Sequence, residues 1–249
     1  MPRSITVVDD KVYLEIIQDP KAVALIDDLD AMVVPYAGHA AVHESEVARV
    51  RDVLVKSGQL VQGAFLIKNP YEGETYESAE TAIEAFAVAK YHALANVVRL
   101  LGAREIKFVE VRMSNESANW VANAMLHLPK LGADAEASKE MKQKLKEKLQ
   151  ARMVFPGSPP DTEGATAYLT KRNLQGDQQM RDLIEMRTGT NPISHYKMTF
   201  SGTRESASNF SAGLKLAGAA EALGVQLGGK FTKTLESIRD IDIETEINF

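Results

Sequence analysis

Near the C-terminal end, two long stretches alternate in character with period two and mirror each other across a turn of small residues. From Tyr196 the even positions read Tyr196, Met198, Phe200, Gly202, Arg204, Ser206, Ser208, Phe210, Ala212, Leu214 and Leu216, with mostly polar or small residues between them. After 217–222 the phase flips. Odd positions then carry Leu223, Val225, Leu227, Gly229, Phe231, Lys233, Leu235, Ser237, Arg239, Ile241, Ile243, Thr245, Ile247 and Phe249. Alternation of this kind marks a strand with one buried face, so the segment predicts one amphipathic antiparallel β-hairpin. At ~3.3 Å per residue each arm would reach roughly 70 Å, where the usual strand has about 5–6 residues.

Setting Leu216 against Leu223 fixes a register. It opposes Leu214 to Val225, Ala212 to Leu227, Met198 to Ile241 and Tyr196 to Ile243. On the other face it sets Lys197 against Asp242 and His195 against Glu244, favourable cross-strand charge pairs. The middle is poorly matched: Gly202, Arg204, Ser206 and Ser208 face Ser237, Leu235, Lys233 and Phe231, so this zone is expected to bend, bulge or stay unpaired. Ser211 to Leu227 also has Ala and Leu at helical spacing, but Gly213, Gly218, Gly224, Gly228 and Gly229 would each cost a helix about 1 kcal/mol relative to Ala.

Upstream, Ile5–Val8 and Val12–Ile17 read as strands joined by the turn Asp9-Asp10-Lys11. A helix follows from Pro20 to Leu29, with Asp19 as N-cap, and a second spans Glu44–Lys56 up to Gly58. Gly63–Lys68, a long helix over Ser78–Leu101 and Glu105–Met113 form a strand, helix and strand. The helix shows Ile83, Phe86, Leu94, Val97, Val98 and Leu101 on one side. Such a unit makes either a right-handed parallel pair or part of an antiparallel α+β arrangement. A lysine-rich helix with Met141, Leu145, Leu149 and Met153 at steps of four covers Asp134–Met153, and Phe155-Pro156-Gly157-Ser158-Pro159-Pro160 reads as a linker. Two helices near Ala165–Asn173 and Asp177–Arg187 precede the hairpin. The expected fold class is α+β or α/β, divided into an N-terminal mixed layer (1–130), the charged helix and linker (131–160), and two helices with the long hairpin (161–249).

Composition narrows the chemistry. The 249 residues include 29 Lys and Arg against 34 Asp and Glu, a net charge of −5 that gives no support for nucleic-acid binding. There is no cysteine, so disulfides, thiolate metal sites and thiol nucleophiles drop out. The first residues lack the apolar run of a secretory signal, and the expectation is a cytoplasmic protein that associates with membranes when active.

Candidate sites are few. Gly224-Val225-Gln226-Leu227-Gly228-Gly229-Lys230 fits GxxxxGK, but Phe231 stands where a phosphate loop needs Ser or Thr; these glycines read better as the polar face of the hairpin. His39 and His43, four apart beside Glu44 and Glu46, are surface or cap histidines first and metal ligands second. The loop Asn69–Tyr76 ends a strand and opens a helix, so Tyr71, Glu74 and Tyr76 are candidate pocket residues. No Gly-x-Ser-x-Gly elbow occurs. No catalytic residue or cofactor is expected.

Two functions share one premise, self-association into a homo-oligomer through the hairpin. In the first, Phe210, Ala212, Leu214, Leu216, Leu223, Val225, Leu227 and Phe231 meet membrane lipid and form pores, since bilayer-spanning strands need about 9–11 alternating residues. In the second, the same residues augment a neighbour's sheet in an assembly. A ligand-binding or enzymatic site in the N-terminal layer is the third reading.

Overall fold

The computed structural model describes residues 2–38, 45–73, 75–114, 135–150, 152–206, 208–210, 212 and 240–249. The chain is α+β, and its described residues form two four-stranded sheets with a long helix packed against both.

The first sheet contains β1 (Ser4–Val8), β2 (Ala31–Pro35), β3 (Phe65–Lys68) and β4 (Tyr76–Ser78) in the order β2-β1-β3-β4. β1 and β2 are parallel and the other pairs antiparallel. The crossover from β1 to β2 is made by α1 (Asp10–Gln18) and α2 (Pro20–Asp28). Val12–Ile17 is therefore helical and not a strand. The Asp9 side chain accepts from Lys11 N at 2.8 Å and caps the helix. Tyr13 and Ile16, three apart, are the residues that go inside. α2 begins as its sequence indicates, with Asp19 accepting from Lys21 N at 2.9 Å and Pro20 in the first turn. On the opposite face, α3 (Ser45–Lys56) packs Val47, Val50 and Leu54 against Ile5, Val7, Val34 and Leu66. Val8 and Val33 pack instead with Tyr13, Ile16 and Ala22. β1 is buried along its whole length because both faces are covered.

α4 (Ala79–Leu100) buries Ile83, Phe86, Leu94, Val97 and Val98, the face its periodicity marks. Its 22 residues, about 33 Å at 1.5 Å each, carry the chain from the first sheet to the second. The second sheet comprises β5 (Glu105–Ser114), β6 (Met153–Val154), β7 (His195–Ser201) and β8 (Asp240–Asn248), ordered β6-β5-β8-β7 and antiparallel throughout. β3 and β5 thus lie in different sheets, and the parallel-pair alternative does not apply. α5 (Ala135–Leu149) buries Leu145 and Leu149 while its lysines face outward to carboxylates such as Glu84 and Glu140. It stops four residues before Met153, which pairs with Ile106 as part of β6. α6 (Thr162–Lys171) and α7 (Gln178–Met186) are capped by Asp161 and Asp177.

The stretch before α6 lies tightly across the end of α4. A Cβ on Gly102, whose φ is +85°, would stand 2.1 Å from Ser158 O. Arg187 Nε and Nη2 donate to Leu101 O at 3.2 and 3.1 Å, and its guanidinium lies 4.2 Å from the Phe249 ring centre.

β7 and β8 are the hairpin strands, and their pairing differs in register from the sequence expectation. Tyr196 faces Ile247 rather than Ile243, and Met198 faces Thr245 rather than Ile241. Lys197 faces Glu246 and makes its ion pair diagonally with Glu244; His195 faces Asn248, with Nδ1 2.8 Å from Asn248 Oδ1. The offset is four residues, an even number, so each side chain keeps its face. Met198, Phe200, Ile241, Ile243 and Ile247 are buried. At the base of the ribbon this register is held by Phe249 N donating to Ser194 O and Arg104 N to Asn248 O, and Leu216 and Leu223 lie outside the described residues. β5 bonds to the other side of β8, with a bulge between Phe108 and Glu110.

β7 ends at Ser201. Its Oγ accepts from Thr203 N at 3.3 Å and Arg204 N at 3.1 Å, which turns the chain into a 3-10 turn over Arg204–Ser206 and helical residues at 208–210 and 212. The described part of the poorly matched middle zone therefore bends. Residues 213–239 lie outside the described residues.

Thr245 generates a stability prediction. It is wholly buried on the apolar face of β8, and its Oγ1 has no hydrogen-bond partner among the described residues. Thr245→Val should raise stability by about 1 kcal/mol by removing an unmade bond. Urea unfolding would show a higher midpoint at unchanged slope; a lower midpoint would mean that the hydroxyl is satisfied.

Candidate functional site

One turn after Phe86 and one before Leu94, the apolar stripe of α4 is interrupted by Lys90, whose side chain is only 2% exposed. A buried ammonium without a partner costs several kcal/mol, and the fold brings three oxygens to it. Lys90 Nζ lies 2.8 Å from Asp177 Oδ2 and 2.8 Å from both Glu205 Oε1 and Oε2. The Phe200 ring centre is 5.8 Å away, and Tyr71 donates its hydroxyl to Glu205 Oε2 at 2.7 Å. Four distant segments meet here: α4, the start of α7, the turn after β7 and the loop between β3 and β4.

Each partner is held from behind. Asp177 uses Oδ1 to cap α7 through Met180 N at 3.0 Å, leaving Oδ2 for the lysine. Glu205 sits in the 3-10 turn that Ser201 Oγ starts, while Ser206 Oγ donates to Thr203 O at 2.6 Å. Tyr71 N donates to Asn69 Oδ1 at 3.0 Å, and Tyr71 O accepts from Arg172 Nη1 at 3.1 Å. Just beyond Glu205, Asn209 Nδ2 donates to Lys68 O at 3.0 Å, and the Phe210 ring lies 5.8 Å from Phe86. The turn also approaches α4 through its backbone: a Cβ on Gly202 would stand 2.9 Å from the Cβ of Ala87.

Burial first, then the charge of Glu205 and its hydrogen bond, push the Tyr71 phenol well above its ordinary range. The phenol therefore stays protonated and donates, while the two carboxylates share one ammonium. Both carboxylates and the amine are engaged with one another, so the cluster is built to join segments. Its most accessible member is Glu205, with a side chain 21% exposed.

Of the residues marked by the sequence, Tyr71 belongs to this cluster. Tyr76 is buried elsewhere, its hydroxyl donating to Pro2 O at 2.9 Å, and Glu74 lies outside the described residues. Phe210 and Ala212 are buried. Leu214, Leu216, Leu223, Val225, Leu227 and Phe231, the Gly224–Lys230 loop, and His39 and His43 all lie outside the described residues. Among the described residues no group of three or more His, Asp or Glu side chains is placed to hold a metal ion, and no helix is long and apolar enough to cross a membrane. Lys90, Asp177 and Glu205 were not singled out as a site from the sequence. The available signal was a charge at helical spacing inside the apolar stripe of α4, which asks for a buried counter-charge without saying where it comes from.

The raised Tyr71 value has a pH consequence. A group whose folded pKa exceeds its unfolded one contributes stability that is whole below the unfolded value, near 10, and is lost as pH climbs toward the folded value. Thermal melts above pH ~10 should therefore fall less steeply for Tyr71→Phe than for the natural chain; parallel curves would show that this phenol does not carry the alkaline loss.

No protein-family model, curated protein or solved structure matches the chain.

Proposed function

We propose that the chain self-associates through an extension of the β7–β8 ribbon and that this extension permeabilises membranes. One observation supports the reading most directly. Ser201, where β7 ends, pairs with Asp242 near the start of β8, so the segment between them leaves and returns at one end of the sheet, as the loop of a hairpin does. Its sequence keeps the alternation of the strands over 210–216 and 223–231, with Arg204, Lys233 and Arg239 interrupting it between these stretches and the strands. Continuing the observed register opposes Ala212 to Phe231, Leu214 to Gly229 and Leu216 to Leu227, and leaves Glu221-Ala222 as a two-residue turn. A ribbon of this kind has one apolar and one polar side, which is what a bilayer-spanning strand of about 9–11 residues requires.

The proposed site of action is a membrane reached from the cytoplasm, with a second copy of the chain as partner. Assembly without lipid is the second reading, and it draws on a separate observation: β7 is an edge strand, so its outer backbone groups can pair with another strand.

Dye release from phosphatidylcholine–phosphatidylglycerol vesicles, read together with oligomer size, tests both. The membrane reading expects leakage by the natural chain and its loss in Val225→Asp, which places a charge on the apolar side of the ribbon, with the melting curve of the two-sheet body retained. Ordered oligomers without leakage would move the assignment to assembly. Leakage unaltered by Val225→Asp would sink the ribbon as its cause.

A further inference from the structure

A cavity of about 400 Å³ opens where α1 and α2 meet the edge strand β2 and the first turn of α3. Small-molecule sites measure about 300–1,000 Å³. The cavity takes no residue from the Lys90 cluster or from the β7–β8 ribbon. Tyr13, Ile16, Ile26, Met32 and Val47 make its interior apolar, while Ile17 and Val23, 45% and 37% exposed, stand at its mouth.

The charges around this interior are all of one sign. Asp27, Asp30 and Glu46 line the cavity and are exposed, and no Lys, Arg or His among the described residues lines it. Asp30 is engaged by Arg3 at 3.3 Å. The Asp27 side chain has no hydrogen bond or ion pair among the described residues. Its position adds to the negative field: α2 ends on Asp27-Asp28 with no basic residue in its last turn, so these carboxylates stand at the negative end of the helix dipole, where a cation is favoured. The neighbouring backbone is closed to an added strand. Pro35 ends β2 without an N–H, and its carbonyl already accepts from Arg51 Nε at 3.1 Å.

We infer that this cavity binds a small amphiphilic amine, with an alkyl or arylalkyl chain seated among the apolar residues and its ammonium at Asp27. The interior supplies affinity in proportion to the chain buried, and the carboxylates select the head. A fatty acid of the same length would bring its own carboxylate against three others and the end of α2. The inference is independent of the ribbon.

Methyl NMR of the full chain tests it, with octylamine, hexylamine and octanoate titrated below micelle formation. Octylamine should shift the Ile16, Ile17 and Ile26 methyl signals saturably and bind at least tenfold more tightly than octanoate. Hexylamine should bind roughly fivefold to tenfold more weakly than octylamine, since each buried methylene is worth up to about fourfold. Asp27→Asn should weaken octylamine about threefold, as for an exposed ion pair, and Val23→Trp should fill the mouth and remove the methyl shifts. Octanoate binding as tightly as octylamine overturns the selection of an amine. An absence of saturable shifts, or shifts that Val23→Trp leaves unaltered, overturns the site. Should Val23→Trp lower the melting curve of the free chain, the ligand series and Asp27→Asn decide, and an octylamine affinity unchanged in Asp27→Asn counts against the proposal.

Discussion

The arrangement of this protein turns on a positive charge placed inside α4, the helix that packs against both sheets. Lys90 is buried where a helix of this composition would otherwise carry an apolar residue, and burying it is tolerable only because Asp177 and Glu205 are delivered to the same point. Those two residues come from the start of α7 and from the turn after β7, and Tyr71 adds the loop between β3 and β4. A nonpolar contact would accept many partners at this position. An ammonium accepts few, so the pair specifies which turn lies on α4 and in what position.

The second sheet has a different economy on its two faces. Toward α4 it presents Met198, Phe200, Ile241, Ile243 and Ile247. On the outer face the charges form cross-strand ladders: Glu244 lies between Lys197 and Arg112, Glu246 pairs with Lys107, and Glu105 with Arg152. Hydrogen bonds from Lys197, Lys107 and Arg152 hold these three carboxyls below the usual carboxylate range. The basic partners are exposed while Glu244 is buried between Lys197 and Arg112. These pairs define one greasy and one ionic side across β5, β8 and β7, and the apolar positions of 210–216 and 223–231 share the parity of that greasy side. The proposed ribbon thus extends a pattern already present in the paired strands.

How far the sequence reveals this depends on whether a feature is local. The α+β class, the long helix, the capped start of α2, and the pairing of the last strand with the segment near Tyr196 are all written in period and caps. The error at Val12–Ile17 arose because a short apolar run fits both periods, and the decision fell to Asp9 as a cap and to the burial of Tyr13 with Ile16. The register error had another origin. Parity was legible because the faces must match, but the four-residue offset depends on contacts of Ser194 with Phe249 and of Arg104 with Asn248, which no alternation encodes. The cluster was invisible for the same reason. Lys90 meets Glu205 across 115 positions, and nothing in the neighbourhood of either residue names the other.

The most direct measurement is a double-mutant cycle on that contact. Unfolding free energies of Lys90→Met, Glu205→Gln and the pair together, measured in urea, should show a coupling of about 1–3 kcal/mol, because buried Lys90 meets both oxygens of Glu205 directly. Single effects that add to within about 0.5 kcal/mol in the double variant would contradict the account, since the turn after β7 would then be held to α4 by packing alone.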